Sequence, residues 1–526
     1  MNAAKSKPNI KEKSIGASLF AAASLSVVAI CLIFYFLFSN GMPIFGKIGL
    51  SEFLFGKQWN PTGEPPAYEI LPMIFGSLLV TFGAMLIAVP LGIGCAAFLS
   101  EVAPKNIAAW LKPVIELLAG IPSVVYGFFG LMLLVSFIRV NFAIPSGETM
   151  LAGSLLLAIM ALPTIISVSQ DAISAVPPEY REGSLALGST RWQTITKVTI
   201  PAASSGITAA VILGIGRAIG ETMAVMMVTG NTAIIPEPFY NMLSPVRTLT
   251  GTLAIEMGEV AMKSDHYYAL FGMAIILFFI VLVLSISAHT IKYMGERKGR
   301  KHPAFRYVKY SVYGLIALLA LLFLSSAIGW IWALAIFGAG FAYVAFGPWI
   351  GRKIKENAAF AGLAIGMAFV VFVLGIILWF IISKGAGAIT WDFLTKSPRN
   401  LGRSGGIFPA IVGTLYLVAG AIAIAFPIGV GAAIYLTEYL REGALSKILR
   451  TAADTLNGIP SIVFGLFGYA FLVLFLGFGV SMLAGQITLA LMILPTIVRT
   501  TEEAIKSVPQ SYREGSYGLG ATRWQT

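Results

Sequence analysis

The chain has 526 residues, of which 57% are hydrophobic and only 11% are charged, against roughly 25% charged in soluble domains. Its mean hydropathy of +0.85 excludes an ordinary soluble protein and predicts a membrane protein. The net charge of +12 could point to nucleic acid, but the basic residues cluster between apolar runs, so we predict no nucleic-acid partner.

Apolar runs long enough to cross a bilayer recur along the chain, and each needs about 20 residues for a ~30 Å core. We count about twelve, all predicted to be helical. They lie near residues 17–39, 70–99, 114–138, 150–172, 201–228, 268–291, 310–329, 330–350, 360–383, 408–437, 453–478 and 481–504. Residues 311–350 are read as a helical hairpin turning near Gly329; a single span there would reverse the topology that follows.

Basic residues indicate the orientation. They cluster in residues 5–13, 292–309 and 352–355, which the positive-inside bias places in the cytoplasm together with the N-terminus. The first run lacks a clear cleavage site and is read as a retained anchor, so we expect a multi-pass protein of the cytoplasmic membrane that contacts lipid throughout. Cys31, Cys95 and three scattered histidines give no metal-ligand spacing, and no metal site is predicted.

A duplication organises the sequence. The polar stretch YREGSLALGSTRWQT, residues 180–194, returns as YREGSYGLGATRWQT, residues 512–526; we name them the first and second polar repeats. GIPSVVYGFFG at Gly120 likewise matches GIPSIVFGLFG at Gly458. With an even number of spans between them, both polar repeats lie on the cytoplasmic side, so the duplication is parallel rather than inverted. Because the second copy stops at Thr526, we expect the second half to be truncated by roughly a hundred residues relative to the first.

The first polar repeat predicts a short helix, a bend and a second helix. Pro177 and Pro178 are typical of a helix start, and Gly188 is typical of a helix end. Ser189 or Thr190 can cap the next helix. Such a unit offers an amphipathic surface to a partner. The alternative is an interfacial helix lying on lipid headgroups.

The polar repeats resemble the cytoplasmic motif of ABC importer permeases, through Glu182 with Gly188 and through Glu514 with Gly520. Gly183-Ser184 and Gly515-Ser516 replace the family's two alanines. The resemblance implies that each repeat is a coupling helix, so two copies of an ATPase subunit would dock on one chain. The residues assigned to this role are Tyr180, Arg181, Glu182, Gly183, Gly188 and Arg191, and Tyr512, Arg513, Glu514, Gly515, Gly520 and Arg523. No Gly-Lys-Ser/Thr phosphate loop occurs, so the chain is expected to be no enzyme and to bind no cofactor, with ATP and magnesium on the partner.

The fifth run carries two charges. Arg217 and Glu221 are four positions apart, which on one helix would let them pair across a face. The surrounding string GRAIGETMAVMMVTGN resembles the first permease subunit of the phosphate ABC importer, and GGIFPAIVGTLYLVAG from Gly405 resembles its second subunit. The resemblance implies phosphate as substrate, Arg217 and Glu221 in its path, and an extracytoplasmic phosphate-binding protein as partner. Pro122 and Pro460 are predicted to kink helices lining that path.

The sequence therefore predicts an all-α polytopic membrane protein with two parallel repeats of the ABC importer type I permease fold. Its predicted parts are a cytoplasmic N-terminus (1–16), a first permease domain (17–300), a cytoplasmic linker with an extra helical hairpin (301–359) and an incomplete second permease domain (360–526). Three alternatives stay open: an ion-coupled secondary anion transporter, an ABC importer of sulfate, molybdate or phosphonate, and a membrane scaffold that reports phosphate status.

Overall fold

The structure is a computed structural model that describes residues 10–296, 303–346, 351–440 and 443–526. Parts of two predicted cytoplasmic basic segments, residues 5–9 and 297–302, lie outside the described residues, as does the end of the predicted run at 330–350. The described chain is overwhelmingly helical. Its two short strands, β1 (Trp59–Asn60) and β2 (Ala67–Tyr68), pair antiparallel.

The chain divides into two compact units. The continuous unit comprises Ile44–Gly387, and the split unit comprises Met1–Pro43 with Ala388–Thr526. Helix α1 (Ile10–Ile48) begins in the split unit and ends in the continuous one. The division therefore differs from the two halves of the sequence repeat.

The continuous unit is built around two long helices, α3 (Leu71–Ala97) and α7 (Met150–Ser174), which pack along each other. Its other helices are α2 (Leu50–Phe55), α4 (Lys105–Gly120), α5 (Ser123–Phe129), α6 (Ser136–Asn141), α8 (Pro178–Ala186), α9 (Arg191–Thr194), α10 (Ile200–Ala202), α11 (Ser204–Gly220), α12 (Met223–Val228), α13 (Leu249–Glu256), α14 (Asp265–Glu296), α15 (Pro303–Ile328), α16 (Trp330–Phe346) and α17 (Arg352–Gly385). The first of its π-helical turns, Phe98–Val102, continues α3, and two more lie at Gly130–Val135 and Ile195–Thr199.

The split unit repeats this pattern in shorter form. Helix α19 (Phe408–Ile434) packs along α22 (Met482–Lys506) as α3 packs along α7. The remaining helices are α18 (Trp391–Thr395), α20 (Ala444–Gly458), α21 (Ser461–Phe467) and α23 (Gln510–Gly518), with π-helical turns at Tyr435–Tyr439 and Gly468–Phe475 and 3₁₀ turns at Ala386–Ala388, where the continuous unit ends, and Asn400–Gly402.

Glycines set the spacing of the central helix pair in the same way in both units. A Cβ on Gly92 of α3 would lie 2.6 Å from Ile165 Cγ2 of α7. The equivalent Gly429 of α19 shows the same 2.6 Å approach to Ile497 Cγ2 of α22. Any larger residue would push the helices apart, so the duplication read from the sequence is also a duplication of packing.

Eight described helices are long and apolar enough to cross a membrane, and a ninth results if the bent pair Arg191–Ala202 and Ser204–Gly220 is counted as one span. The chain is a multi-pass membrane protein. The larger predicted number included runs that form shorter apolar helices, Gly314–Ile328 and Ser461–Phe475, and one run partly outside the described residues. The predicted turn is confirmed: α15 ends at Ile328, Gly329 has φ +84°, and α16 begins at Trp330.

The first long helix of each sequence half packs in the unit formed mainly by the other half. The part of α1 up to Pro43 belongs to the split unit, where Ala23 shares a core with Leu436, Leu449 and Leu494. Helix α17, which opens the second half, packs on α3 in the continuous unit. Contacts between residues so distant in sequence are invisible to a reading of local repeats.

Candidate functional site

The first polar repeat has the helix, the bend and the capped start of a second helix that the sequence predicts. After α8 the chain turns at Gly188 with φ +81°, and Thr190 caps α9. The cap is reciprocal: Gln193 N donates to Thr190 Oγ1 at 3.3 Å, and Thr190 N donates to Gln193 Oε1 at 3.0 Å. This capping box satisfies two backbone donors at the helix start. The second helix is shorter than predicted, because α9 passes after four residues into the π-helical turn Ile195–Thr199.

The second polar repeat reproduces the helix, the glycine turn and the capping hydrogen bonds, but residues 523–525 form a turn rather than a helix. Helix α23 is followed by Gly520 with φ +82°. Thr522 N donates to Gln525 Oε1 at 2.8 Å and Gln525 N donates to Thr522 Oγ1 at 3.4 Å. The duplicated sequence therefore specifies the same helix, turn and capping hydrogen bonds twice, in two different units.

An arginine clamp holds the first polar repeat on its own unit. Arg181 Nε donates to Glu101 Oε1 at 2.8 Å, and Arg181 Nη2 lies 2.7 Å from the same oxygen. The guanidinium also donates through Nη1 to Val176 O at 2.6 Å and through Nη2 to Ile173 O at 2.8 Å, at the C-terminal end of α7. Cations are favourable at helix C-termini, where carbonyl groups have no partner within the helix.

The second polar repeat has the same clamp. Arg513 Nε donates to Glu438 Oε1 at 2.8 Å, Nη1 to Val508 O at 2.8 Å and Nη2 to Ile505 O at 2.7 Å. The sequence predicts Arg181 and Arg513 as partner contacts, but in the structure both guanidinium groups bind groups of their own unit. The carboxylates Glu101 and Glu438 were missed, although the repeated Leu-Ser-Glu at residue 99 and Leu-Thr-Glu at residue 436 gave a signal.

The remaining predicted residues of the polar repeats lie on exposed faces. Leu187 is 89% exposed and its counterpart Leu519 is 92% exposed. The other exposed members are Tyr180, Glu182, Gly183, Gly188 and Arg191, and Tyr512, Glu514, Gly515, Gly520 and Arg523. A Cβ on Gly183 or Gly515 would meet no atom within 4 Å, so the alanines of the resembled motif would fit there. Each repeat thus combines a fixed backbone with an accessible apolar and acidic surface.

The predicted fifth span is broken at its charged residues. Helix α11 ends at Gly220, Glu221 is extended with φ −71° and ψ 132°, and α12 begins at Met223. The prediction that Arg217 and Glu221 pair on one helix face is therefore wrong, and within the described chain no ion pair joins them.

Each of the two charges has another partner. Arg217 Nη1 donates to Thr164 Oγ1 of α7 at 3.3 Å. Glu221 Oε1 accepts from the amides of Thr222 at 3.1 Å and Ala224 at 3.4 Å, while Thr250 Oγ1 donates to Glu221 O at 2.8 Å. The carboxylate and the hydroxyl satisfy backbone groups that the break releases inside an apolar unit.

A small, mostly apolar chamber lies beside this break. Its lining includes Ser77, Thr81, Glu221, Thr248 and Thr250 among apolar residues, and its volume is about 10 Å³. That is about the space of one water molecule. The chamber is too small for a tetrahedral oxyanion.

The two predicted kinks are complete breaks. Pro122 is extended between α4 and α5, and Pro460 is extended between α20 and α21. Because proline lacks an N–H, it cannot complete the helical bond to Leu118 O. Leu118 O instead accepts from Ile121 N at 3.4 Å and from Tyr126 Oη at 2.7 Å. The second copy has Phe464 at the position of Tyr126.

An acid-centred cluster in the continuous unit was not predicted. Glu256 accepts from Arg247 Nη1 at 2.7 Å and from Trp59 Nε1 at 3.2 Å, and its Oε2 lies 2.7 Å from His266 Nε2. Burial by itself would raise the pKa of Glu256, but the bond with His266, the charge of Arg247 and the bond from Trp59 outweigh it, so the pKa lies below its ordinary value. The cluster joins the β-hairpin to α13 and α14.

Metal ligation is not indicated in the part of the chain that the structure describes. No group of three or more His, Cys, Asp or Glu side chains there could hold an ion. Of the two cysteines, Cys95 is buried and Cys31 is exposed, and both are free thiols.

Comparison with known proteins places this fold and its duplicated motif in one family. Residues 88–301 and 425–526 match the family described as binding-protein-dependent transport system inner membrane component, consistent with two permease units in tandem. The chain is 45% identical over 282 residues to the "Probable ABC transporter permease protein YqgH" of Bacillus subtilis (strain 168), which covers 53% of this chain and 89% of that protein.

Two further relatives carry a phosphate-transport name. The "Phosphate transport system permease protein PstC" of Pasteurella multocida (strain Pm70) is 34% identical over 304 residues, covering 54% of this chain and 91% of that protein. Its namesake from Mesorhizobium japonicum is 35% identical over 299 residues, covering 53% of this chain and 89% of that protein. The chain belongs to the binding-protein-dependent transport system inner membrane components, the permeases of the ABC transporter family.

Proposed function

We propose that this chain translocates inorganic phosphate inward across the cytoplasmic membrane, driven by ATP hydrolysis on separate subunits. Two ATPase copies dock on the two polar repeats, and an extracytoplasmic phosphate-binding protein delivers the substrate. ATP and magnesium are held by the ATPase, and this chain performs no catalysis. The N-terminus lies in the cytoplasm. The observation that carries the proposal is the polar repeat built twice, with an identical arginine clamp and an exposed face in each copy.

The contacts offer a route from the first polar repeat to the membrane interior. The clamp joins Arg181 to the C-terminal end of α7 through Ile173 O and Val176 O. The same helix carries Thr164, which binds Arg217 of α11. A displacement of α8 by the ATPase would move α7 and thereby the hydroxyl that holds Arg217. We assign Arg181 and Arg513 to positioning the polar repeats and the exposed residues beside them to ATPase contact.

The charged break in the continuous unit is the proposed substrate path. Arg217 offers paired donors that suit the oxygens of a tetrahedral anion. The backbone amides of Thr222 and Ala224 both donate to Glu221 Oε1. We therefore propose that Oε2 accepts a hydrogen bond from a proton-bearing phosphate oxygen. Sulfate carries no such proton at neutral pH, so this contact would favour phosphate. If Glu221→Gln leaves phosphate uptake and its selectivity over sulfate unchanged, this assignment is wrong.

Co-purification tests the docking of the ATPase. The full chain is co-expressed with its candidate ATPase and compared with Glu182→Ala and Glu514→Ala, and we expect each substitution to weaken association. Glu179→Ser is the matched control, because it removes a carboxylate from the exposed side of α8 and introduces the residue that the second copy has, Ser511. Unchanged association in both Glu→Ala variants would argue against docking through these faces.

Reconstitution tests transport. Proteoliposomes with the ATPase and the external binding protein should show ATP hydrolysis stimulated by phosphate and accumulation of labelled phosphate. Uptake that requires an ion gradient but no ATP would favour a secondary transporter. ATP-dependent uptake of sulfate, molybdate or phosphonate in place of phosphate would retain the mechanism and change the substrate. Normal phosphate uptake in Arg217→Ala would show that the Arg217 side chain is not part of the substrate path.

A further inference from the structure

A carboxylate from a distant helix binds the second short helix of the first polar repeat. The amide of Trp192 in α9 donates to Glu356 Oε1 at 3.2 Å. Glu356 lies near the start of α17, and Phe360 follows it by one helical turn. The ring of Phe360 meets the ring of Trp192 edge-on, with centroids 6.3 Å apart and planes at 85°. Helix α17 thus contacts both the backbone and the side chain of Trp192.

The split unit contains a similar bond, made by a different helix to the amide one position earlier in the repeat, since Arg523 is the counterpart of Arg191. The amide of Arg523 in the second polar repeat donates to Glu12 Oε1 at 3.1 Å. Glu12 lies near the start of α1. One turn further, Gly16 faces Tyr439, where a Cβ would lie 3.6 Å from the ring. A carboxylate thus binds a backbone amide at the start of the Arg-Trp-Gln-Thr segment in both copies, with the donor shifted by one residue, whereas the ring contact beside it differs.

The sequence marks both carboxylates with the same tripeptide. Ile10-Lys11-Glu12 opens α1, and Ile354-Lys355-Glu356 stands in the first turns of α17. These short segments lie outside the repeat blocks that identified the duplication. The repeated tripeptide and the two carboxylate–amide bonds are separate observations, and both indicate the same kind of contact in each copy.

The two bonds cross the sequence halves. Helix α1 opens the first half, but Glu12 binds the second polar repeat; α17 opens the second half, but Glu356 binds the first. Each polar repeat is therefore held by its arginine clamp within its own half and by a carboxylate from the leading helix of the other half.

The hydrogen bond between the carboxylate and the backbone amide is of a strong type, which suits a mechanical link between two helices. Backbone N–H groups at a helix start have no partner within the helix, and a carboxylate satisfies them with a strong, charge-assisted bond. The Thr190–Gln193 capping box occupies the neighbouring donors. Because Glu356 accepts from a backbone amide, this hydrogen bond to α9 does not depend on the residue type at position 192.

We propose that Glu12 and Glu356 are positioning residues that tie each polar repeat to the leading helix of the other sequence half, so that a displacement of one polar repeat by the ATPase also moves a membrane helix of the opposite half. The proposal rests on the function proposed above for its coupling role, but the bond itself can be tested without transport.

Amide hydrogen exchange on the full-length chain tests the bond. In Glu356→Ala we expect exchange in residues 189–196 to rise by about tenfold or more, because a charge-assisted bond is lost, while residues 521–526 stay as in wild type. Glu12→Ala should give the reverse pattern, so each variant is the control for the other. Glu356→Gln keeps an acceptor oxygen and should restore protection.

Unchanged exchange in Glu356→Ala overturns the proposal, and so does an equal rise at both polar repeats, which would indicate general destabilisation. Should the alanine variants fail to fold, Glu356→Asp and Glu12→Asp shorten the reach by one methylene while keeping the charge. The local and reciprocal rise in exchange is then expected of them, and its absence overturns the proposal equally.

The coupling role is tested in proteoliposomes by the ratio of phosphate transported to ATP hydrolysed. We expect Glu356→Ala to retain ATP hydrolysis but to transport less phosphate per ATP hydrolysed. Glu356→Gln should restore the wild-type ratio. A purely structural role would lower both rates together, and that result overturns the proposed link. If the wild-type chain neither binds an ATPase nor transports phosphate, the proposed function fails, while the exchange experiment still decides whether the carboxylates hold the polar repeats.

Discussion

Removing the arginine clamp should release the first polar repeat from its unit. The side chains of Arg181 and Glu101 are 22% and 11% exposed, so the pair is largely shielded from solvent. Arg181→Ala leaves that carboxylate without its partner and also frees Ile173 O and Val176 O. Breaking a buried pair costs about 3–5 kcal/mol. Taking about 3 kcal/mol, and about 1.4 kcal/mol per factor of ten, local opening should increase by roughly 100-fold.

Limited proteolysis with chymotrypsin, mapped by mass spectrometry, measures this opening, because cleavage follows the population of the open form when opening and closing are fast. We expect cleavage within residues 178–187 to accelerate by about two orders of magnitude in Arg181→Ala. Glu182→Ala, on the exposed face, should be cleaved like wild type. In the double variant Arg181→Ala/Glu101→Ala, the loss of local stability should be smaller than the sum of the losses in the two single variants, since no charge is then left unpaired. Wild-type cleavage of Arg181→Ala would refute the clamp.

Three further results are expected. Because the pKa of Glu256 is depressed by its partners, its stabilising contribution is present above about pH 4.5 and is lost as the pH falls below that value; thermal unfolding across this range should show the loss in wild type and a much smaller pH dependence in Glu256→Gln. Tyr126→Phe, which copies Phe464 of the second half, should lower the free energy of unfolding by about 1 kcal/mol in the same assay, and an unchanged value would show that Leu118 O does not need the hydroxyl. Gly188→Ala should lower the local stability of the first polar repeat by roughly 1–2 kcal/mol, because Gly188 has a positive φ. Gly188→Asn should lower it less. The proteolysis assay compares the two variants, and equal cleavage of both would contradict the argument from the backbone.

Local features of the polar repeats were predictable from sequence because their determinants are local. Proline at a helix start, glycine at the turn and the Thr190–Gln193 cap act within a few residues of one another. The direction of Arg181 was not predictable in the same way, since it depends on Glu101, 80 positions away. Extending the repeat comparison to the Leu-Ser-Glu and Leu-Thr-Glu segments would have revealed both carboxylates.

The broken fifth span shows where pattern reading stops. The spacing of Gly216 and Gly220 suits close helix packing, and Arg217 with Glu221 suits a pair within a helix, so local rules favoured a continuous helix. The break is stabilised by Thr250 Oγ1 on Glu221 O, a contact from a segment 29 residues away. Tertiary contacts between distant segments also explain why α1 and α17 each pack in the unit formed mainly by the other sequence half.

Site-specific photo-crosslinking tests the central claim most directly. A photoreactive residue is placed at Leu187 or at Leu519, which are 89% and 92% exposed at equivalent positions of the two polar repeats. With the assembled complex in membranes, we predict that both positions cross-link to the ATPase subunit and that a probe at Leu415, exposed on α19 among apolar residues, does not. Cross-links from both polar repeats to lipid alone, in a complex shown to contain the ATPase, would contradict the account and return the repeats to interfacial helices.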